Sequence, residues 1–171
     1  MKTILVIDDN EGILVSLKYV LSEEFDKVLT LNNPEKALIT LMQEEVSIIL
    51  LDMNFQLGVN TGSEGLFWLQ QLKQAHPEIP VVLFTAYGEI DLAVRGLKMG
   101  ASDFVVKPWD NDKLMMTLKM AIEKQNKILT LDEITEEHIK KAIDKCHGNL
   151  SQAADLLGVS RQTLYNKMKK K

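Results

Sequence analysis

The run TILVIDDN, residues 3–10, decides the fold. Its first five residues are β-branched or apolar and do not alternate with polar ones, so a strand here is covered on both faces. The carboxylates of Asp8 and Asp9 cannot follow it into a core, so the strand ends there. The pattern recurs four times downstream: KVLTL at 27–31, VSIILL at 46–51 before Asp52, PVVLF at 80–84 before Thr85-Ala86, and DFVV at 103–106 before Lys107-Pro108. Between these runs the apolar residues fall at helical spacing. Ile13, Leu14, Leu17, Val20 and Leu21 mark a helix over 11–24, and Asn33-Pro34 opens another to about 45, with proline suited to the first turn. A Gly- and Asn-containing loop, 54–63, precedes a helix over 64–76. A helix over 89–99 is capped by Gly100, and Asp110 caps one running to about 127. Parallel neighbours require crossovers, so five apolar strands alternating with helices predict an α/β fold with a doubly wound five-stranded parallel sheet.

In such sheets reactive groups collect beyond the carboxyl ends of the strands. Four of the five strands end in one: Asp8-Asp9, Asp52, Thr85 and Lys107. Three carboxylates brought together stay ionised only beside a compensating cation. An open, all-oxygen site favours a hard ion such as Mg²⁺, which recruits phosphate oxygens. A hydroxyl and an ammonium beside it are natural partners for phosphoryl groups. The chemistry implied is phosphoryl transfer to a carboxylate. Any one of these residues alone is ordinarily a cap or turn former; the set of four, in this order, is what carries the reading.

At this point the chain resembles a response-regulator receiver domain, through ILVIDDN, ILLDMN, FTAYG and DFVVKPW, over residues 1 to about 125. The resemblance implies a flavodoxin-like fold, with Asp52 as phospho-acceptor. Asp8 and Asp9 become the acidic pair that binds Mg²⁺ with Asp52, and Asn54 lends its backbone carbonyl. Thr85 and Lys107 become the residues that hold the phosphoryl oxygens, Phe104 the aromatic switch, and Lys107–Pro108 a cis peptide. The residues alone leave Phe104 equally well read as a core aromatic. A phosphoryl group adds about -1.5 to -2 charge and three acceptors, so Thr85 and Lys107 would move toward it. The face of the fourth helix, fifth strand and fifth helix would then change as an output or dimer surface. One departure is the loop MNFQLGVNTGSEG: Gly65 stands 13 residues past Asp52, about five more than receivers usually allow, and no proline intervenes. That extension either shapes the site or is a tolerated surface insertion.

TAYGEIDLAVRGLKMGASDFVVKPW is also similar to the receivers of nitrogen-regulation-type activators. Those relatives carry a central ATPase, yet no GxxxxGK[ST] phosphate loop occurs in these 171 residues. The stretch beyond the receiver is short. After a linker at 127–134, Ile139, Ala142, Ile143 and Cys146 mark a helix from about Glu136 to His147, with Thr135 an acceptable start. Ser151 is placed as the cap of SQAADLLG, and Gly158-Val159-Ser160 turns into a last helix from Arg161 to about Lys169, with Leu164 and Met168 inward. Leu150, Val159 and Leu164 are expected to close the core. Small residues, a glycine turn and a basic second helix form a helix-turn-helix pattern. GNLSQAADLLGVSRQTLYNKMKKK resembles the Fis-type DNA-binding domain, which places that domain at 135–171 and the receiver at 1–126. The resemblance implies that Arg161, Gln162, Asn166 and Thr163 face the major groove of double-stranded DNA, while Ser160, Tyr165, Lys167 and Lys169 lean on phosphates.

Charge divides the same way. Residues 1–130 hold 12 basic and 18 acidic side chains, residues 131–171 hold 8 and 6. An acidic body with a basic end fits two domains with different partners. The lone Cys146 excludes an internal disulfide and fits a reducing cytoplasm; His138 and His147 beside it lack a complete metal set. No apolar run approaches the ~20 residues of a membrane span, and Asp8-Asp9 come too early for a secretory signal. Three short helices bury little surface, so a homodimer is expected. The combined expectation is a cytoplasmic transcriptional regulator, phosphorylated on Asp52 by a histidine kinase and catalysing nothing beyond its own phosphoryl chemistry. The competing readings are a protein-interaction adaptor whose tail only dimerises, and a phosphate sink.

Overall fold

The computed structural model describes residues 1–55, 63–86, 90–126 and 131–169. The chain divides into two compact units, Met1–Asn126 and Lys127–Lys171.

The first unit is built on β1 (Thr3–Ile7), β2 (Lys27–Leu31), β3 (Ile48–Asp52), β4 (Val81–Ala86) and β5 (Asp103–Lys107). All pairs are parallel, in the order β2-β1-β3-β4-β5. Helices α1 (Glu11–Leu21), α2 (Ala37–Gln43), α3 (Ser63–Ala75) and α4 (Ile90–Lys98) supply the crossovers, and α5 (Asn111–Asn126) follows the last strand. β1 and β3 are buried at every position, as a sheet covered on both faces requires. Two apolar layers sandwich the sheet. Ile4, Val6, Leu50 and Phe84 pack with Leu17 of α1 and Leu114 of α5. Leu5, Ile7, Leu51 and Leu83 pack with Leu41 of α2 and Leu69 of α3. Each fully buried side chain of this size contributes about 1.5–3 kcal/mol.

Strand limits differ from the sequence reading in a consistent way. β3 starts at Ile48, paired with Ile4, because Val46 and Ser47 precede the β1 ladder, to which Ser47 adds its N–H bond to Thr3 O at 2.8 Å and a side-chain Oγ that accepts from Thr3 N at 3.2 Å. β4 runs on through Thr85 to Ala86, and β5 through Lys107, because Thr85↔Val106 and Ala86↔Lys107 extend their ladder. Asp52 and Lys107 are therefore the last rungs of their strands, and Thr85 the last but one, rather than loop residues beyond them. The expected second helix is a 3-10 turn, Pro34–Lys36, that hands over to α2, with Asn33 capping Glu35 N. Asp110 caps α5 through Lys113 N at 2.9 Å. Gly100 ends the α4 region with φ +103, a conformation that favours glycine.

The second unit holds α6 (Leu131–Lys145), α7 (Leu150–Leu156) and α8 (Arg161–Lys169). Residues 131–134 of the expected linker are helical, and Thr135 lies inside α6 rather than at its start. LDEIT contains neither glycine nor proline to hold the helix off. α6 ends where His147 and Gly148 take φ 49 and 84. The cap of α7 is Asn149, which accepts from Ser151 N and Gln152 N, so Ser151 is a helical residue and not the cap. The centre is Ala142, Ala153, Ala154 and Leu164, with Leu150 and Leu157 packed around it. Val159 and Met168, expected inward, are exposed.

Candidate functional site

The parallel register sets Asp8, Asp52, Thr85 and Lys107 at one end of adjacent strands. Ile7↔Leu51 brings Asp8 beside Asp52, and Asp52↔Phe84 sets Thr85 one residue beyond the rung opposite Asp52 on the neighbouring strand. Carboxylate oxygens of Asp8, Asp9 and Asp52 lie within 4.8 Å of one another, with Asp9 the most exposed of the three. Lys107, reaching in from the end of β5, donates to Asp8 Oδ2 at 2.7 Å and to Asp52 Oδ1 at 2.9 Å. Asp8 Oδ1 also accepts from Asn10 N at 2.9 Å. The Lys107–Pro108 peptide is cis.

Burial pushes the Asp52 carboxyl up to about 6; Lys107 pulls it back, Asp8 adds to the rise, and the Met53 N–H lowers it. Burial by itself would push the Lys107 ammonium down, but Asp52 and Asp8 more than offset it and its pKa is raised. One ammonium thus compensates two buried carboxylates and leaves Asp9 beside them. An all-oxygen donor set with residual negative charge suits a hard divalent cation, and Asp8, Asp9 and Asp52 can hold one.

Two neighbours of the site were not legible in the sequence. Phe84 lies under Lys107, whose Nζ is 4.7 Å from the ring centroid, and its ring meets Trp109 edge-on at 5.2 Å. Met53 N–H is shared between Asp52 Oδ1 at 2.9 Å and Phe84 O at 3.1 Å, while Met53 O accepts from Gly65 N at 3.2 Å. Phe84 is one apolar residue in an apolar run and Met53 merely follows Asp52, and only the register shows that they meet beside the carboxylate. Thr85 is fully buried. Phe104 pairs with Leu83 and is half-buried against the α2–α3 layer. Most of the extended loop, residues 56–62, lies outside the described residues.

In the second unit, Arg161, Gln162, Thr163, Tyr165, Asn166 and Lys167 are all exposed on α8. They do not share one face. Gln162 donates to Asn166 at 3.0 Å along the outer side, opposite buried Leu164. Thr163 and Lys167 border a cleft of about 290 Å³ against α6, lined by His138, Ile139 and Val159. Ser160 caps α8, its Oγ accepting from Thr163 N at 3.0 Å. The side chain of Lys169 lies outside the described residues. Among the described residues, no helix is long and apolar enough to cross a membrane.

Comparison with known proteins agrees with this geometry. Residues 4–119 match the response regulator receiver domain, and residues 130–170 match the bacterial regulatory protein, Fis family. A putative NtrX-like response regulator of Rickettsia felis is 34% identical over 170 residues, 96% of this chain and 32% of that protein. The DNA-binding transcriptional regulator NtrC of Salmonella typhimurium is 32% identical over 117 residues, 68% of this chain and 24% of its own length. The chain thus spans about a third or less of the curated relatives it matches. Among solved structures, the receiver domain of a Bacteroides fragilis response regulator is 52% identical with a TM-score of 0.65, covering 71% of this chain and 97% of that one. The receiver domain of NtrX from Brucella abortus is 33% identical with a TM-score of 0.64, covering 70% and 98%. The strand-end cluster on this parallel sheet, and the helical unit after it, place the chain in the response-regulator receiver family, with a Fis-type helix-turn-helix domain following the receiver.

Proposed function

We propose that Asp52 accepts a phosphoryl group and that the modification controls DNA binding by the helix-turn-helix unit. The supporting observation is the ion-paired cluster: Lys107 bridges Asp8 and Asp52 at 2.7 and 2.9 Å, and Thr85 follows Phe84, the rung partner of Asp52. With its pKa near 6, Asp52 is mostly ionised at pH 7 and nucleophilic. A carboxylate oxygen of Asp52 attacks phosphorus while the donor's bond to phosphorus breaks and its electron pair leaves with the donor. Lys107 turns from the carboxylates to the new phosphoryl oxygens, and Thr85 donates its hydroxyl to another. A divalent cation on Asp8, Asp9, Asp52 and the Asn54 carbonyl would supply charge neutralisation for the incoming phosphoryl oxygens. As Thr85 moves, the half-buried Phe104 follows and alters the α4–β5–α5 face, which exposes Ile90, Val94, Leu97, Met116 and Met120. The phosphodonor in this reading is a histidine kinase, and the setting the cytoplasm.

In the second unit, Arg161, Gln162, Thr163 and Asn166 read base edges, and Ser160, Tyr165, Lys167 and Lys169 contact phosphates. Three alanines and one leucine make a slender core, which favours a homodimer on a two-fold site. Incubation with acetyl phosphate and Mg²⁺ tests the first step: mass spectrometry should show modification that disappears in Asp52→Asn. An unmodified wild type would overturn it.

A further inference from the structure

Glycine is needed where backbones approach too closely for a Cβ, and Gly65, the third residue of α3, is such a place. A Cβ there would lie 2.5 Å from Met53 Cα, 2.7 Å from its carbonyl oxygen and 2.9 Å from its carbonyl carbon. Its φ is not left-handed, so close approach, not conformation, demands the glycine. Among the described glycines, only Gly65 meets backbone in this way. A Cβ on Gly96 would meet Leu83 Cδ1, the end of a side chain that can rotate.

What Gly65 touches is the peptide that follows Asp52. Met53 N–H donates to Asp52 Oδ1 and to Phe84 O, and Met53 O accepts the Gly65 N–H. An added methyl must displace either α3 or Met53. α3 is anchored by Leu66, Leu69 and Leu72, all buried in the core. Met53 is buried in the same core, but it carries the amide bonded to Asp52 and leads into Asn54, so a shift on either side of this contact changes the backbone beside the carboxylate. The Met53–Gly65 bond also ties the start of α3 to the backbone that follows Asp52.

We infer that Gly65 is a positioning residue, which fixes the backbone after Asp52 and so sets the affinity of the carboxylate cluster for a divalent cation. The inference rests on the reading of Asp8, Asp9 and Asp52 as a cation site. Mn²⁺ titration of the full chain, followed by the electron paramagnetic resonance of the free ion, tests it. Gly65→Ala is expected to weaken Mn²⁺ binding about tenfold, and raised Mg²⁺ to restore its modification by acetyl phosphate. Gly96→Ala should lower thermal stability and leave Mn²⁺ affinity at the wild-type value. A Gly65→Ala affinity within about twofold of wild type, or an equal loss in Gly96→Ala, overturns the inference. Should Gly65→Ala not fold, the wild type decides by NMR: the Gly65 amide resonance should follow the Mg²⁺ titration with the midpoint of Asn54, and a resonance that stays put overturns the inference. A wild type that binds no Mn²⁺ removes the cation reading itself, and Gly65's role with it.

Discussion

The two units place their functional groups by opposite means. In the receiver, Asp52 and Lys107 are last rungs of paired strands and Thr85 the last but one, with Asp8 one residue past the end of β1. Two apolar layers hold those strands, so the cluster is already assembled. In the second unit, the side chains proposed to contact DNA sit exposed on one short helix, anchored mainly by Leu164 against three alanines. Chemistry that needs fixed distances is placed where long-range packing over-determines the backbone. Recognition of a surface as adaptable as DNA is placed where packing is sparse. Damage to the first unit should therefore appear as lost chemistry, and damage to the second as lost folding or assembly.

The sharpest break of this contrast is Asp52→Asn, which should abolish modification while leaving the receiver folded by circular dichroism. Next is Leu164→Ala. Loss of a buried leucine costs about 2–5 kcal/mol, more than three short helices can absorb. Calorimetry should then lose the transition of the second unit and keep that of the receiver. A single shared transition would show that the two units are not energetically separate. The Asp52 charge gives the third test. Its pKa is raised in the fold from 3.8 to about 6, so the fold favours the protonated form. That stabilisation is complete below pH 4 and lost as pH rises through 6. In metal-free protein at pH 7, Asp52→Asn should therefore be the more stable by up to about 3 kcal/mol, a gain that fades as pH falls from 6 toward 4. A pH-independent gain would place its cause in packing instead.

Smaller effects sharpen the DNA side. Arg161→Ala with Lys167→Ala should weaken duplex binding and lower the salt slope by about one for each phosphate no longer neutralised. Binding that survives both changes with no salt dependence would favour the adaptor reading. Asn149→Ala should cost about 1 kcal/mol, because Asn149 caps two backbone amides of α7. An equal loss in Ser151→Ala would contradict the observed cap.

The receiver was legible because its strands are near-continuous apolar runs, four of the five stopped by a chemically distinctive residue. Asp8, Asp9, Asp52, Thr85 and Lys107 all declared themselves in that way. Strand limits were less legible, since Thr85 and Lys107 look like loop residues until the β4–β5 ladder includes them. The positions of Phe84 and Met53 beside the carboxylates depend on register, which no local pattern encodes. The start of α6 was misplaced because a polar stretch without glycine or proline reads equally well as linker or helix. In the small unit Val159 and Met168 looked like core residues, but they line open clefts against α6 and remain exposed. Ser151 and Asn149 are both good caps by composition, and only the backbone shows which one accepts.

The central claim is that the state of Asp52 controls the helix-turn-helix unit. It is tested most directly by measuring duplex affinity and molecular mass together, with and without beryllofluoride and Mg²⁺. The mimic is expected to shift both affinity and mass in the wild type and neither in Asp52→Asn. Identical affinity and mass in both states of the wild type would contradict the claim.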